Sequence, residues 1–284
     1  MSTDYSVIEN DLLSAVGPVR LIAVSYLSTP PAGVEKFAGT VPSGCTFWRL
    51  AAAGKDFYTV PGDHLNCAIG SYTHSIDEPA ERAGELERTL ELMTGVGYVR
   101  MAEVPSIPRL PVTPAFTYYA PLGKAVVEPD VVIASGRPAA LMRMQEAAAR
   151  AGASSTLPLL GRPTCMGLPA AMVHGTVLST GCIGNRVYTN LGDDELYLMI
   201  PGARLADVVR ELDVIAKAND TLRAYHEERK VALTSQLAAS TPPSDHPGSS
   251  KATALPAQLM PRRDGRLPLR ASSCGDSATN RSRE

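Results

Sequence analysis

A chain of 284 residues with 44% apolar and 20% charged side chains is long enough to bury a real core and has the balance of a water-soluble globular protein. Its formal net charge of -2 gives no electrostatic basis for binding nucleic acid or an anionic membrane. No run reaches the roughly 18 apolar residues of a spanning helix, and "MSTDYSVIENDLLSAVG" carries Asp4, Glu9 and Asp11 where a secretory signal would carry Lys or Arg, so a cytoplasmic location is expected.

In chain order, "VRLIAVSYL" (Val19–Leu27) is an apolar run closed by "STPPAG", which predicts a buried strand. "CTFWRLAAAG" (Cys45–Gly54) predicts a short helix stopped by Gly54. "DEPAERAGELERTLELMTGVGY" predicts a further helix, with Leu86, Leu90 and Met93 at helical spacing and a Gly-rich stop. The proline-heavy "EVPSIPRLPVTPAF" predicts an extended, irregular link, because Pro breaks both helix and inner strand. "FTYYAPL" and "DVVIASG" predict strands, and "RPAALMRMQEAAARAG" a helix with Leu141, Met144 and Ala148 on one face. "DDELY" (Asp193–Tyr197) reads as the acidic lead-in to the strand "LYLMI" (Leu196–Ile200), closed by Pro201 and Gly202, rather than as a cation site.

"ARLADVVRELDVIAKANDTLRAYHEERK" predicts the best helix, with Leu205, Val208, Val209, Leu212 and Ile215 in one apolar stripe. From about Ser235 the chain turns rich in Ser, Pro, Gly and Arg with no period, which predicts a disordered tail. The expectation is therefore an α/β or α+β body over 1–234, in halves 1–110 and 111–234, followed by a tail over 235–284.

Five widely spaced cysteines, Cys45, Cys67, Cys165, Cys182 and Cys274, argue against a disulfide framework in a reducing compartment. Metal-binding, reactive or merely buried thiols remain open, and Cys274 goes with the tail. The other four fall into a repeat. "CTFWRLAAAGKDFYTVPGDHLNCAIGSYT" aligns with "CMGLPAAMVHGTVLSTGCIGNRVYT", matching Cys45 with Cys165 and Cys67 with Cys182. Each copy runs cysteine, small-residue helical stretch, glycine, extended segment, then a second cysteine before Ile-Gly. An internal duplication would give two similar halves about a pseudo-two-fold axis, with four cysteines able to meet at the junction.

The segments "CTFWRLAAAGKDFYTVPGDHLNCAIG", "SIPRL", "YYAPL", "PDVVIASGRPAALM", "GRPTC", "LSTGCIGNRVYT" and "DDELYLMIPG" together resemble the family called domain of unknown function 169, over about Ile8 to His226. That resemblance implies a cysteine set at Cys45, Cys67, Cys165 and Cys182, and implies little about activity.

Four thiolates can hold an iron–sulfur cluster or a tetrahedral zinc ion. The usual Cys-x-x-Cys pairs are missing, since 21 residues separate the first pair and 16 the second, and core packing of small apolar thiols is the plain alternative. Gly70 and Gly184, after the second cysteine of each pair, would let bare backbone N–H groups approach a bound group. Cys45 and Cys165 stand at predicted helix starts, where the helix dipole favours thiolate, and Arg162 and Arg186 would act in the same direction. His64, three residues before Cys67, is a candidate ligand or proton donor against the plainer reading of a partly exposed loop histidine. His74 and His174 are weaker candidates, and Trp48 reads as core.

No dinucleotide fingerprint, phosphate loop, serine elbow or His-Glu-x-x-His occurs. "STGCIGNR" resembles a nucleophile elbow around Cys182, with its second glycine one position early. The expected function is a cytoplasmic redox or cofactor-binding protein with a four-cysteine site, an iron–sulfur cluster before zinc, acting with a small-molecule substrate or redox partner. Arg162, Arg186 and His64 would tune the cofactor or touch the substrate. A metal-free small-ligand module with core cysteines is the alternative, and a Cys182 nucleophile the third reading.

Overall fold

The computed structural model of the chain describes residues 3–155, 157 and 160–240, with 235–240 as backbone. Internal contacts divide the chain into two units, Met1–Leu233 and Thr234–Glu284. The description below concerns the first. The expected tail beyond Ser240, with Cys274, lies outside the described residues, while the last helix continues past the expected boundary at 235 to Ser240.

Helices α1 (Tyr5–Val16), α2 (Cys45–Ala52), α3 (Ala68–Thr73), α4 (Glu85–Gly95), α5 (Pro138–Arg150), α6 (Gly167–His174), α7 (Ile183–Thr189) and α8 (Leu205–Ser240) surround one sheet. Its strands are β1 (Arg20–Leu27), β2 (Phe57–Thr59), β3 (Phe116–Pro121), β4 (Val131–Gly136), β5 (Val177–Ser179) and β6 (Leu196–Pro201). They lie in the order β2-β3-β1-β4-β6-β5, and every neighbouring pair is antiparallel. The fold is therefore α+β, the second of the two classes expected. Among the described residues no helix is long and apolar enough to cross a membrane.

Side chains alternate across a strand, and here both faces are covered. Ile22, Val24, Val131, Ile133 and Met199 face a core with Phe47, Trp48, Tyr119 and Leu168, under α2 and α6. Leu21, Ala23, Val132, Ala134, Leu198 and Ile200 face the other way onto Leu12 of α1, Leu141 and Met144 of α5, and Leu205, Val208 and Leu212 of α8. The result is three layers, helix–sheet–helix, and it explains why β1, β4 and β6 read as unbroken apolar runs. The face expected on α5 is buried at Leu141, Met144 and Ala148. Helix α1 was not singled out from the sequence; Asp4 caps it, its carboxylate accepting from the Ser6 N–H at 3.0 Å, and Gly17 (φ +84°) ends it. The proline-rich link holds a 3-10 turn at Met101–Ser106, with Pro105 inside it, in a stretch expected to be irregular throughout.

The repeat is visible as architecture. The sheet is β2-β3-β1 facing β4-β6-β5, so each half contributes an inner, an edge and a middle strand in the same chain order. The inner strands pair with each other, Ile22 opposite Ile133. In each half the inner strand leads to a cysteine and a helix (Cys45 with α2, Cys165 with α6). A glycine with positive φ follows, Gly54 at +96° and Gly175 at +94°, and then a three-residue edge strand. A second cysteine caps a short helix, Cys67 on α3 and Cys182 on α7. The middle strand then ends in Pro, Pro121 or Pro201, followed by a 3-10 turn.

Candidate functional site

The two half-repeats bring their cysteines to one place. Cys45 opens α2, its N–H donating to Ser43 Oγ at 3.3 Å, and Cys165 sits in the 3-10 turn Thr164–Met166 ahead of α6. Both are buried. Cys67 and Cys182, the helix caps, are half-buried. The Cys67 Sγ accepts the Gly70 N–H at 3.3 Å, and the Cys182 N–H donates to Thr164 Oγ1, which ties the second half's two cysteine segments together. All four cysteines border one cavity of about 300 Å3. Its walls are mainly apolar, with Ile69, Leu90, Met93 and Val99 among them, and Tyr98, Arg162 and Asn185 add polar groups. A second, much smaller space of about 10 Å3, on the scale of one water, is bordered by Cys45, Cys67, Cys165, His64, His74 and Tyr119.

Burial dominates the electrostatics. It pushes the Cys45 thiol up to about 12, with the nearby Cys67 adding to the rise and Asn185 and Ser43 offsetting part of it. Cys165 is pushed well above the ordinary thiol range by burial first, then by Cys45 and Cys67. Both are neutral thiols at pH 7. Burial likewise drives His64 down to about 3, with His74 contributing, and His74 down to about 4. Their rings stack at 5.8 Å between centroids. His74 Nδ1–H donates to the Gly70 carbonyl at 2.9 Å, so Nε2 accepts from the Tyr26 hydroxyl at 3.3 Å. His64 Nε2 pairs with Thr59 Oγ1 at 2.8 Å. His64 is thus a buried neutral histidine behind three thiols, where the plainer reading of the sequence made it a partly exposed loop residue. Its 3-10 turn, Pro61–His64, rolls the ring inward against Phe47.

The remaining candidates divide. Arg162 reaches the cavity mouth, held over the Tyr98 ring at 5.1 Å and paired with Glu103 at 3.6 Å. Arg186 is committed elsewhere: its guanidinium donates to the Thr180, Gly192 and Glu195 carbonyls at 2.6, 2.9 and 3.1 Å and holds the loops flanking α7. A Cβ at Gly70 would stand 3.1 Å from Cys67 Sγ, so glycine there makes room for that sulfur. Gly184 borders the cavity, and a Cβ there would meet only the Tyr188 ring at 3.7 Å. Trp48 is core, edge-on to Tyr197 at 5.6 Å. Asn185 and Tyr98 were not singled out from the sequence. No local signal marks either of them, since α7 was not predicted and the role of Asn185 depends on its neighbours in space.

Whether these residues fit a metal depends on how tightly the sulfurs gather. Among the described residues no group of three or more His, Cys, Asp or Glu side chains is arranged to hold a metal ion. A polynuclear group brings its own bridging atoms and so accepts sulfurs set farther apart than the about 2.3 Å Zn–S bonds of one ion allow.

Compared with known families, the chain matches the family model described as DUF169, uncharacterised ArCR, over residues 18–211, a span that contains all four cysteines. No curated protein and no solved structure matches it.

Proposed function

The chain belongs to the uncharacterised DUF169 family, and from that premise we propose that Cys45, Cys67, Cys165 and Cys182 hold an iron–sulfur cluster that serves oxidoreduction or sulfur-linked chemistry on a small molecule. The observation that carries this reading is the convergence of four thiols, two from equivalent places in each half, on a single cavity. A bound cluster supplies one-electron chemistry at a potential that the protein tunes through charge, hydrogen bonds to sulfur and exposure.

The chain's own groups then have defined parts. Ionising the buried thiols requires a cation among them, since burial and mutual repulsion otherwise keep Cys45 and Cys165 protonated. The Gly70 N–H already donates to the Cys67 sulfur. Apolar walls shield the buried Cys45 and Cys165, and Arg162, held over Tyr98 and paired with Glu103, borders the cavity where a small molecule would enter. The neutral His64–His74 pair borders the smaller space beside Cys45, Cys67 and Cys165, able to accept a proton only at a cost set by its burial.

Anaerobic purification of the full chain, followed by visible absorption and iron, sulfide and zinc analysis, tests this. The expected result is a brown protein carrying iron and acid-labile sulfide. Cys45→Ser, Cys67→Ser, Cys165→Ser and Cys182→Ser should each lose most of the colour, and Cys274→Ser none. A colourless, iron-free protein after anaerobic reconstitution overturns the reading. Stoichiometric zinc would replace the cluster with a single ion. The apolar wall favours a metal-free small-ligand site as the second reading, and one fast-alkylating thiol at Cys182 would favour a nucleophile.

A further inference from the structure

We infer that Asn185 is a positioning residue for the bound group, donating its Nδ2–H to the Cys45 sulfur once that sulfur ligates metal. The inference rests on the cluster reading above. Asn185 lies one turn past Cys182 on α7, is 1% exposed and borders the four-cysteine cavity. Neither its amide nitrogen nor its amide oxygen has a hydrogen-bond partner among the described residues. Buried polar atoms are paired in the great majority of cases, so a doubly orphaned carboxamide in a packed core calls for a cause.

Its surroundings supply one. Helix α7 packs on α2, the helix that Cys45 opens, and the Asn185 carboxamide faces the Cys45 sulfur on one side and the Tyr197 hydroxyl on another. Tyr197 already donates to Thr189 Oγ1 at 3.1 Å. A thiol sulfur is a weak acceptor, whereas a sulfur carrying negative charge is a strong one. In the metal-free protein the carboxamide therefore has only the weak interaction that offsets part of the rise in the Cys45 thiol, short of a hydrogen bond, and it gains a full one when Cys45 becomes a ligand.

The repeat sharpens the point. Three residues after Cys67 stands Gly70, whose backbone N–H serves the Cys67 sulfur directly. Three residues after Cys182 stands Asn185, which reaches across to the other half's Cys45 instead. Each half thus directs one N–H at a cysteine sulfur, and the side-chain version links the two halves. Such outer hydrogen bonds orient ligands and raise the potential of a sulfur-held cluster.

The test uses the full chain with Asn185→Leu and Asn185→Ala, each examined metal-free and after anaerobic loading. Removing the orphaned amide in an isosteric way should raise the metal-free melting temperature of Asn185→Leu by about 2–4 °C. Asn185→Ala leaves a void and should melt lower. Both loaded variants should show a more negative midpoint potential, on the order of a tenfold shift in the reduced-to-oxidised ratio, or about 59 mV for a one-electron couple. A metal-free variant that melts at or above wild type yet takes up no iron supports the inference as well. Loaded variants with the wild-type potential overturn it and leave the cluster reading standing. A wild-type chain that takes up no iron overturns that reading first, and this inference with it.

Discussion

His64 and His74 make acid the natural probe of this core. Burial holds them at about 3 and about 4, against an ordinary value of 6.5, so the folded protein keeps both neutral while the unfolded chain protonates them. The unfolded state binds more protons below 6.5, so folding stability falls as pH drops from 6.5 toward 4. At pH 5 each histidine should cost about 2 kcal/mol relative to neutral pH. Glu103 and Glu195 are also held low, first by side-chain hydrogen bonds from Arg100 and Arg20 respectively, but they begin to lose stability only as pH falls through their ordinary value of 4.5. Urea melts of the metal-free chain between pH 7 and 5 should therefore show a slope that the double variant His64→Gln, His74→Asn flattens. A slope unchanged in that variant would assign the acid sensitivity elsewhere. At this scale the sequence was partly readable. Trp48 read as core and is core, because a large apolar residue on a short helix has few other places to go. His64 did not read correctly, since a histidine next to Asp63 and Gly62 carries no local sign that its turn rolls inward. Asn185 was passed over because an orphaned amide can be recognised only once its neighbours are known.

At the scale of elements, the paired glycines Gly54 and Gly175 separate backbone strain from packing. Both follow a helix of the repeat at nearly the same φ, +96° and +94°. A Cβ at Gly54 would meet nothing within 4 Å, whereas one at Gly175 would stand 2.7 Å from the Ala153 carbonyl oxygen and 3.1 Å from Ser154 backbone atoms. Gly175 also has ψ of -170°, a region that essentially only glycine occupies. Gly54→Ala should cost about 1–2 kcal/mol from the left-handed backbone alone. Gly175→Ala should cost more than about 3 kcal/mol, because strain and a backbone clash add. Equal losses in denaturant melts would mean that the two halves are not packed as described. Among the longer elements α5 and α8 show their apolar stripes and β1, β4 and β6 their apolar runs, while α1, with only Leu12 and Val16 buried, was missed. Strands β2 and β5 span three residues each, and α3 and α7 six and seven, too short for any period to appear. The antiparallel arrangement was hidden for a different reason. Strands covered on both faces lose the polar alternation that marks a half-solvated antiparallel sheet.

For the whole molecule, the cysteine site depends on the seam between the halves. The order of cysteine, helix, glycine, strand and cysteine was readable twice along the chain. Convergence was not, because it follows from β1 pairing with β4, more than a hundred residues away, with Ile22 opposite Ile133. That pairing places Cys45 and Cys67 of one half on the same cavity as Cys165 and Cys182 of the other. Cutting the chain after Val127, between the turn that follows β3 and the start of β4, tests the seam directly. Fragment 1–127 alone would expose the β4-facing edge of β1, and fragment 128–284 the matching edge of β4; Val24 and Val131, each fully buried in the intact sheet, lie on these edges. Each fragment also keeps only two of the four site cysteines. Neither should take up iron and sulfide in the ratio found for the full chain, and each should aggregate or stay unfolded on its own. Co-expressed, they should rebuild the six-stranded sheet and recover both the absorption and the iron content. One fragment holding the full complement by itself would show that a single half suffices, and the shared cavity would then have no part in binding.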